Sequence, residues 1–377
     1  MKLNLYYVAN ARIPTDRAHG IQIMKMCAAF AQEGFAVTLV VPQRRNPIPD
    51  DPFEFHEVPR SFRITRLFAG DLIGNGALWF FVETLMFSIS SFFFLISHPR
   101  GIVYSRDELP ALIATFTGHD VFWESHIGKY NHIVKMLLSR IQGLVTISEG
   151  LKDTYLSLGV SEEKMIVAHD GAELPSEGLF DKRIVRMKYD IPENSFLVSY
   201  TGRLVPEKGI YTLLEASKQF SQNCVLAVAG EGDDILQLRA KYPHVRFLGH
   251  LPPKESILLQ RSSDLLVIPN SSRNNISRSL TSPMKLFEYF ASGVPVLASD
   301  VPSIRAIAQN GEVLWFKSDD PNDLASKILE HVQTPLLGES AARAALNSLT
   351  KFTWTMRAKT ILEFIKQHGT MGELKDL

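Results

Sequence analysis

The chain has 377 residues, 45% hydrophobic and 21% charged, with 40 basic side chains against 40 acidic ones and a formal net charge of +0. These proportions are those of a globular protein and exclude a disordered chain or a polytopic membrane protein, while the neutral balance removes the basic footprint of a nucleic-acid binder. The length exceeds one ordinary core and predicts two domains of roughly 150 to 200 residues. Cys27 and Cys224 are the only cysteines and both sit in apolar segments. Neither a disulfide framework nor a cysteine metal site is expected, and the compartment reads as reducing and cytoplasmic.

The opening stretch, MKLNLYYVANA, holds an apolar run too short for a signal-peptide core and reads as a strand over 3 to 9. The loop that follows, ANARIPTDRAHG at 9 to 20, places Asn10, Arg12 and His19 at the carboxyl end of that strand, where open parallel sheets bind ligands. It contains a single glycine, Gly20, so the G-x-G-x-x-G of a dinucleotide fold is missing and a nicotinamide or flavin enzyme is disfavoured. Helical periodicity runs from Gln22 to Glu33, and AVTLVVP supplies a second strand.

Residues 77 to 97, ALWFFVETLMFSISSFFFLIS, are the most apolar segment and just long enough to span a bilayer. Glu83 lies well inside it and no basic flank supports a span, so the expectation is a helix buried between sheet and neighbours with one face open to a membrane surface. Strands follow at 102 to 105 and 120 to 125, the second ending in Glu124, Ser125 and His126. Another strand spans 143 to 147, with Ser148 capping a helix, and the last strand of this half lies within 165 to 174.

The second half repeats the rhythm with apolar runs at 197 to 201, 225 to 229, 245 to 249, 265 to 269, 295 to 299 and 312 to 316, separated by helical patterns. Such alternation predicts a parallel sheet covered on both faces. GRLVPEKG, Gly202 to Gly209, joins a strand to a helix, and Arg203 and Lys208 flank amides suited to an anion. Two cations there repel one another unless a ligand carries charge, and a diphosphate would neutralise both. AGEGDD at 229 to 234 allows a tight turn at Gly230, and His250 and Leu251 end the next strand. In SPMKLFEYFASGVPVLASD, Ser282 and Pro283 read as an N-cap and first-turn pair, with Lys285 and Glu288 on one face and Gly293 at the C-cap. Near the end, residues 353 to 366 read as an amphipathic helix.

In this order and spacing, GRLVPEKG, VAGEGDD, FLGHLP and SPMKLFEYFASGVPVLASD resemble the donor-binding half of retaining glycosyltransferases of the GT-B fold, family 4 type. The loop ending at Gly20, the ESH at 124 to 126, VTISEGLK and HDGAE extend the resemblance over nearly the whole chain. It implies an α/β chain of two doubly wound Rossmann-like domains with an interdomain cleft. An acceptor-binding domain would cover 1–178 and a donor-binding domain 179–352, with the helix in 353–377 crossing back to the first. Arg203 and Lys208 match the pair that holds the donor diphosphate, Glu288 the acid on the ribose, His126 the histidine beside the transferred sugar, and Gly20 the loop near the donor phosphate. Gly202, Gly230, His250, Leu251, Ser282 and Lys285 complete the expected donor site, and Asn10, Arg12 and His19 are the acceptor-side candidates. The first acid of the family's E-x7-E element falls at Leu280, as in its S-P-x-K variant, so Arg278, Ser279 or Thr281 must supply that sugar contact if anything does.

The implied reaction is retaining, metal-independent transfer of a sugar from a UDP- or GDP-linked donor to a saccharide or lipid-linked acceptor, on the path to a polysaccharide or glycolipid, with no cofactor and no nucleic acid. No D-x-D occurs to clamp a metal. The cations are instead placed to stabilise charge on the departing diphosphate. Two rivals follow from the same pattern: a noncatalytic nucleotide-sugar-binding subunit of an assembly complex, suggested by Leu280, and a nucleotide-sugar epimerase, which needs paired carboxylates that few positions here offer. The expected location is cytoplasmic, with peripheral attachment to the inner face of the cell membrane.

Overall fold

A computed structural model describes residues 2–71, 76–175, 180–309 and 311–372. The chain divides into two compact units, one of Met1–His169 with Trp354–Leu377 and the other of Asp170–Thr353. The expected boundary at 178 and 179 lies outside the described residues.

The first unit is built on seven strands: β1 (Asn4–Val8), β2 (Ala36–Pro42), β3 (Arg63–Leu67), β4 (Ile102–Ser105), β5 (Asp120–Ser125), β6 (Gly143–Thr146) and β7 (Met165–Val167). They form one parallel sheet in the order β3-β2-β1-β4-β5-β6-β7. The order reverses between β1 and β4, which opens a crevice beyond their carboxyl ends. One face is covered by the helices Ala18–Gln32 and Trp354–His368, which pack on each other, and the helices Ala77–Ile96, Glu108–Ala114 and His132–Arg140 lie side by side in another layer.

Four expectations change here. The strand β3 carries Arg63 and Arg66, which break the apolar run, yet it pairs with β2 as an edge strand, where charge discourages further pairing. The first helix starts at Ala18, so Gly20 is inside its first turn and the loop after β1 is shorter than 9 to 20. β7 ends at Val167 instead of running toward 174. Ala77–Ile96 is helical, but only Glu83, Phe87, Ser88, Ser91 and Leu95 are buried, so the segment is a surface helix with its polar residues turned inward.

The second unit has six parallel strands: β8 (Phe196–Thr201), β9 (Cys224–Ala229), β10 (Arg246–Gly249), β11 (Leu265–Ile268), β12 (Val296–Ser299) and β13 (Leu314–Phe316). Their order is β10-β9-β8-β11-β12-β13, with the switch point between β8 and β11. Val198, Tyr200, Leu226, Val228, Leu265 and Val267 fill the core on one side of this sheet, and Leu266, Ile268, Phe287 and Phe290 fill it on the other. The central strands β8, β11 and β12 are buried on both faces, which is why each reads in sequence as an apolar run rather than an alternating one, while the edge strand β10 keeps Arg246 exposed.

Candidate functional site

In the second unit the loops after β8, β9 and β11 meet at the switch point, and glycine is what lets them. Gly209 has φ +69°, and a Cβ there would lie 1.6 Å from the carbonyl oxygen of Pro269. A Cβ on Gly230, φ +145°, would lie 1.9 Å from the oxygen of Gly202. Any side chain at either position would collide with backbone, so the two loops can approach this closely only as glycine. The Glu207 carbonyl accepts from the Ser277 hydroxyl at 2.7 Å and the Ser271 amide at 3.2 Å, which pins the Gly202–Gly209 loop to the segment after β11. A 3-10 turn, Pro206–Lys208, precedes a short helix, Ile210–Ala216.

Arg203 is exposed on this loop, while Lys208 is partly buried and its ammonium is held below the usual lysine range by burial first and by Arg203 as well, against the pull of Glu207. Lys285, in the helix Met284–Ser292, lies beneath them. Its Nζ is 3.8 Å from the Tyr200 ring centre, is shielded from solvent and makes no hydrogen bond. Burial pushes its pKa well below the ordinary value, Lys208 pushes it further, and Glu288 only partly opposes them. Glu288 is shifted the other way, raised by burial, with Lys285 and a hydrogen bond from Gln260 in opposition. The same-face lysine and glutamate of the sequence are therefore not a solvated surface pair.

Ser282 does not cap this helix. The helix begins at Met284 with Pro283 in the N-cap position and no side-chain cap, and the Ser282 hydroxyl accepts from the Asp170 amide at 2.9 Å. Gly293 closes the helix in the left-handed conformation, φ +71°, as its position after the apolar stripe predicts. His250 is exposed and Leu251 partly buried just beyond β10, beside the Gly230 amide, which donates to the Gly249 carbonyl at 2.7 Å. Leu280 is buried at the end of a π-helical turn, Ile276–Leu280, and puts an apolar side chain where the E-x7-E pattern would place a carboxylate; Arg278 is exposed, and Ser279 and Thr281 are partly so.

One residue at this point was not singled out in sequence. Asn270 follows β11, is completely buried, and neither its Oδ1 nor its Nδ2 has a hydrogen-bond partner. Buried amides are rarely left so, and a polar ligand at the switch point would complete it. The available signal was its place at the carboxyl end of the run LLVIP.

In the first unit His126 and, through Gln22, the helix Ala18–Gln32 belong to a network centred on Glu124. This buried carboxylate accepts from His126 Nε2 at 2.6 Å, Gln22 Nε2 at 2.7 Å, Arg357 at 3.0 Å and the Tyr104 hydroxyl. Burial alone would raise its pKa, but Arg357, His126 and Arg106 hold it well below the carboxylate range. Glu124 is thus ionised and can only accept, so His126 must donate from Nε2. Burial, with Arg106 nearby, lowers the His126 pKa to about 4, which makes the ring neutral near pH 7 and leaves Nδ1 as a free acceptor.

His19 is likewise lowered to about 4 by burial and by Arg106 and Arg17. Asn10 is committed to structure, its Nδ2 donating to Thr84 at 3.0 Å and its Oδ1 accepting from Arg44 at 2.5 Å. Arg12 is partly buried with an unpartnered Nε. Gly20 packs against Thr15, whose Cγ2 would be 2.2 Å from an added Cβ. Arg106, Tyr104 and Arg357 were absent from the sequence reading, and Gln22 entered it only as the start of a helical run. The structure thus brings Gly202, Arg203, Lys208, Gly230, Lys285 and Glu288 together in one unit, and gathers His126 and His19 around Arg106 in the other.

Residues 181–348 match the family model described as Glycosyl transferases group 1. A phosphatidyl-myo-inositol mannosyltransferase of Mycobacterium leprae is 27% identical over 184 residues, covering 46% of this chain and 47% of the relative, so the chain spans less than half of that relative's length. Sucrose-phosphate synthase from Thermosynechococcus elongatus superposes with a TM-score of 0.77 at 18% identity, over 97% of this chain and 99% of that one. Anabaena Alr3699/HepE, solved in complex with UDP-glucose, superposes with a TM-score of 0.73 at 15% identity, over 97% and 100% of the two chains. The chain therefore has the two-sheet α/β architecture of GT-B glycosyltransferase structures, and its residues 181–348 are similar to the Glycosyl transferases group 1 family.

Proposed function

We propose that this protein is a retaining, metal-independent glycosyltransferase that moves a sugar from a UDP- or GDP-linked donor to a hydroxyl of a saccharide or lipid-linked acceptor, in glycolipid or polysaccharide synthesis. The observation that carries the reading is the cluster of Arg203, Lys208 and Lys285 at the carboxyl end of β8, where both lysines are depressed by burial first, Lys208 also by Arg203 and Lys285 also by Lys208, and no ion pair engages any of the three among the described residues. An anion is the missing partner. Departure of a nucleoside diphosphate places new negative charge where these cations already stand, which lowers the barrier more than it stabilises the bound donor.

Asn270 and Glu288 supply polar contacts for the rest of the donor, Glu288 to a ribose. His126, neutral and with Nδ1 free, offers an acceptor to a hydroxyl of the transferred sugar. In the retaining course the leaving phosphate takes the proton of the acceptor hydroxyl on the face from which it departs. The similarity to a relative named as a lipid mannosyltransferase, and to a structure holding UDP-glucose, supports a nucleotide-sugar and a glycolipid or polysaccharide product.

A panel of UDP- and GDP-sugars, followed by nucleoside diphosphate release with acceptor extracts, tests the reading. Arg203→Ala with Lys208→Ala should cut turnover by roughly a hundredfold or more and abolish nucleoside diphosphate binding. Unchanged turnover and affinity in the double variant would sink it. Donor binding by calorimetry with no transfer to any acceptor would instead favour a noncatalytic binding subunit, the role that an apolar Leu280 in place of the first E-x7-E acid suggests.

A further inference from the structure

Four adjacent strands of the first unit, in the sheet order β3-β2-β1-β4, each deliver arginine at or just beyond their carboxyl ends. Arg66 lies near the end of β3, Arg45 follows β2, Arg12 and Arg17 follow β1, and Arg106 follows β4. Arg66 donates to the Ile13 carbonyl at 3.4 Å, in the loop that carries Arg12 and Arg17, and Arg106 donates to Gln22 of the helix that Arg17 precedes. Arg17, Arg45 and Arg66 are exposed, while Arg12 and Arg106 are partly buried. None of the five makes an ion pair among the described residues, and the Nε of Arg12 is shielded from water without a partner. Arg44, beside Arg45, shows the contrast: it is sealed against the buried Glu83.

The acids of the same loops are engaged elsewhere. Asp71 accepts from the Arg45 amide at 3.0 Å, Asp107 from the Asn10 amide at 2.7 Å, and Glu108 pairs with Lys129 at 3.1 Å. The helix Ala18–Gln32 adds to the positive surplus, since its N-cap Arg17 makes no side-chain cap and its first turn holds no acid. His19 feels that surplus: Arg106 and Arg17 add to burial in lowering its pKa to about 4, and Asp16 opposes them only in part. Gathered cations of this kind repel one another until a ligand supplies the opposite charge. In the second unit Arg203, Lys208 and Lys285 already answer a donor diphosphate, so the arginines of the first unit answer another anion. Neighbouring strands stand about 4.8 Å apart, so the row runs for roughly 15 Å, longer than one phosphate and suited to charges spaced along a chain. We propose that this row binds an acidic acceptor, a saccharide whose carboxylate or phosphate groups pair with Arg12, Arg17, Arg45, Arg66 and Arg106. The inference rests on the reading of the chain as a glycosyltransferase and narrows its acceptor to an anionic one.

Calorimetry with tetragalacturonate and its methyl ester, and with glucose 6-phosphate and glucose, tests it, with UDP and GDP binding measured on the same protein. Each charged probe should bind more tightly than its neutral counterpart, and the larger preference tells carboxylate from phosphate. Arg17→Gln with Arg66→Gln should weaken the charged probes by about tenfold or more and leave nucleoside diphosphate affinity as in the parent. Both side chains are exposed, so an unchanged melting temperature separates lost binding from misfolding. Sulfate, against chloride at equal ionic strength, should move the His19 ring titration upward from about 4, read by NMR; besides the arginines, Asp16 and His56 face that ring and are common to both salts. A parent that binds UDP or GDP but prefers neither charged probe overturns the proposal, as does a His19 titration indifferent to sulfate. So does a double variant that binds the charged probes like the parent, or one that loses nucleoside diphosphate affinity, because the arginines would then serve the donor. A parent that binds no nucleoside diphosphate overturns the glycosyltransferase reading, and this inference with it.

Discussion

Replacing Arg357 by methionine tests whether the buried network around Glu124 is held by charge. Arg357 is 4% exposed; its Nε donates to the carbonyl of His169 at 2.9 Å, and a terminal nitrogen donates to Glu124, itself fully buried, at 3.0 Å. Methionine keeps the length and apolar volume but leaves a buried carboxylate with only neutral donors, a loss of about 3–5 kcal/mol. In a unit of this size that corresponds to a fall of roughly 6–20 °C in melting temperature by calorimetry. The effect should depend on pH in a defined sense. Glu124 has a depressed pKa in the folded state, so its contribution is complete above the unfolded glutamate value of about 4.3 and disappears as pH falls through the folded value. The gap between parent and variant should therefore be widest near neutrality and narrow in acid. Adding Glu124→Gln should recover part of the loss, with the double variant more stable than the sum of the singles by about 0.5–3 kcal/mol. A variant that melts within a degree or two of the parent, or strict additivity, would refute the charge argument and reduce Arg357 to packing.

Two further predictions concern the other unit. Gly209→Ala and Gly249→Ala place the same methyl on similar left-handed backbones, φ +69° and φ +74°, but only at Gly209 does it meet a backbone oxygen, and at Gly249 nothing lies within 4 Å. The Gly249 variant should lose about 1–2 kcal/mol, while the Gly209 variant should lose more and also weaken UDP and GDP binding at least about tenfold; equal losses would show that the close loop approach is dispensable. Lys285→Met addresses proton linkage: because burial and Lys208 disfavour the ammonium, the parent should take up a proton when a nucleoside diphosphate binds, seen as a buffer-dependent heat, and the variant should not. With its folded pKa below the unfolded one, Lys285 should also make the stability of the ligand-free protein rise with pH toward the lysine range, and the variant should flatten that rise.

The parallel sheets were legible in sequence because strands buried on both faces are continuous apolar runs, and connections of a dozen or more residues between them leave few other topologies. β3 escaped because Arg63 and Arg66 interrupt its run; nothing local says that an edge strand tolerates them. The helix over Ala77–Ile96 was found but is less buried than expected, since composition cannot reveal that Glu83 meets Arg44 across the fold and turns the aromatic side outward. The loop Gly202–Gly209 was readable because its glycines and cations are contiguous. Arg357 was not, because it reaches Glu124 from a helix at the far end of the chain, and only tertiary structure joins them. Ser282 was misread for a related reason: a serine before a proline satisfies the local rule for a cap, but here the Asp170 amide competes for its oxygen and wins.

The second unit keeps Arg203, Lys208 and Lys285 close together with too little opposing charge, and it keeps Asn270 buried without a partner. Folding alone gives no reason for this arrangement, since each feature opposes the ligand-free state: a lysine whose charged form burial disfavours, repulsion across a loop, and an amide cut off from water. Under the proposed function the same features would become favourable together, because a diphosphate would pair the cations, favour the ammonium form of Lys285 that burial disfavours, and meet the amide. Local rules are broken at the carboxyl ends of β8 and β11 and kept elsewhere in the sheet, which is the distribution expected when instability is concentrated where binding will relieve it. Under that proposal the cation loop and the helix Met284–Ser292 would act together, with Lys285 as the member whose proton uptake calorimetry would read on ligand binding.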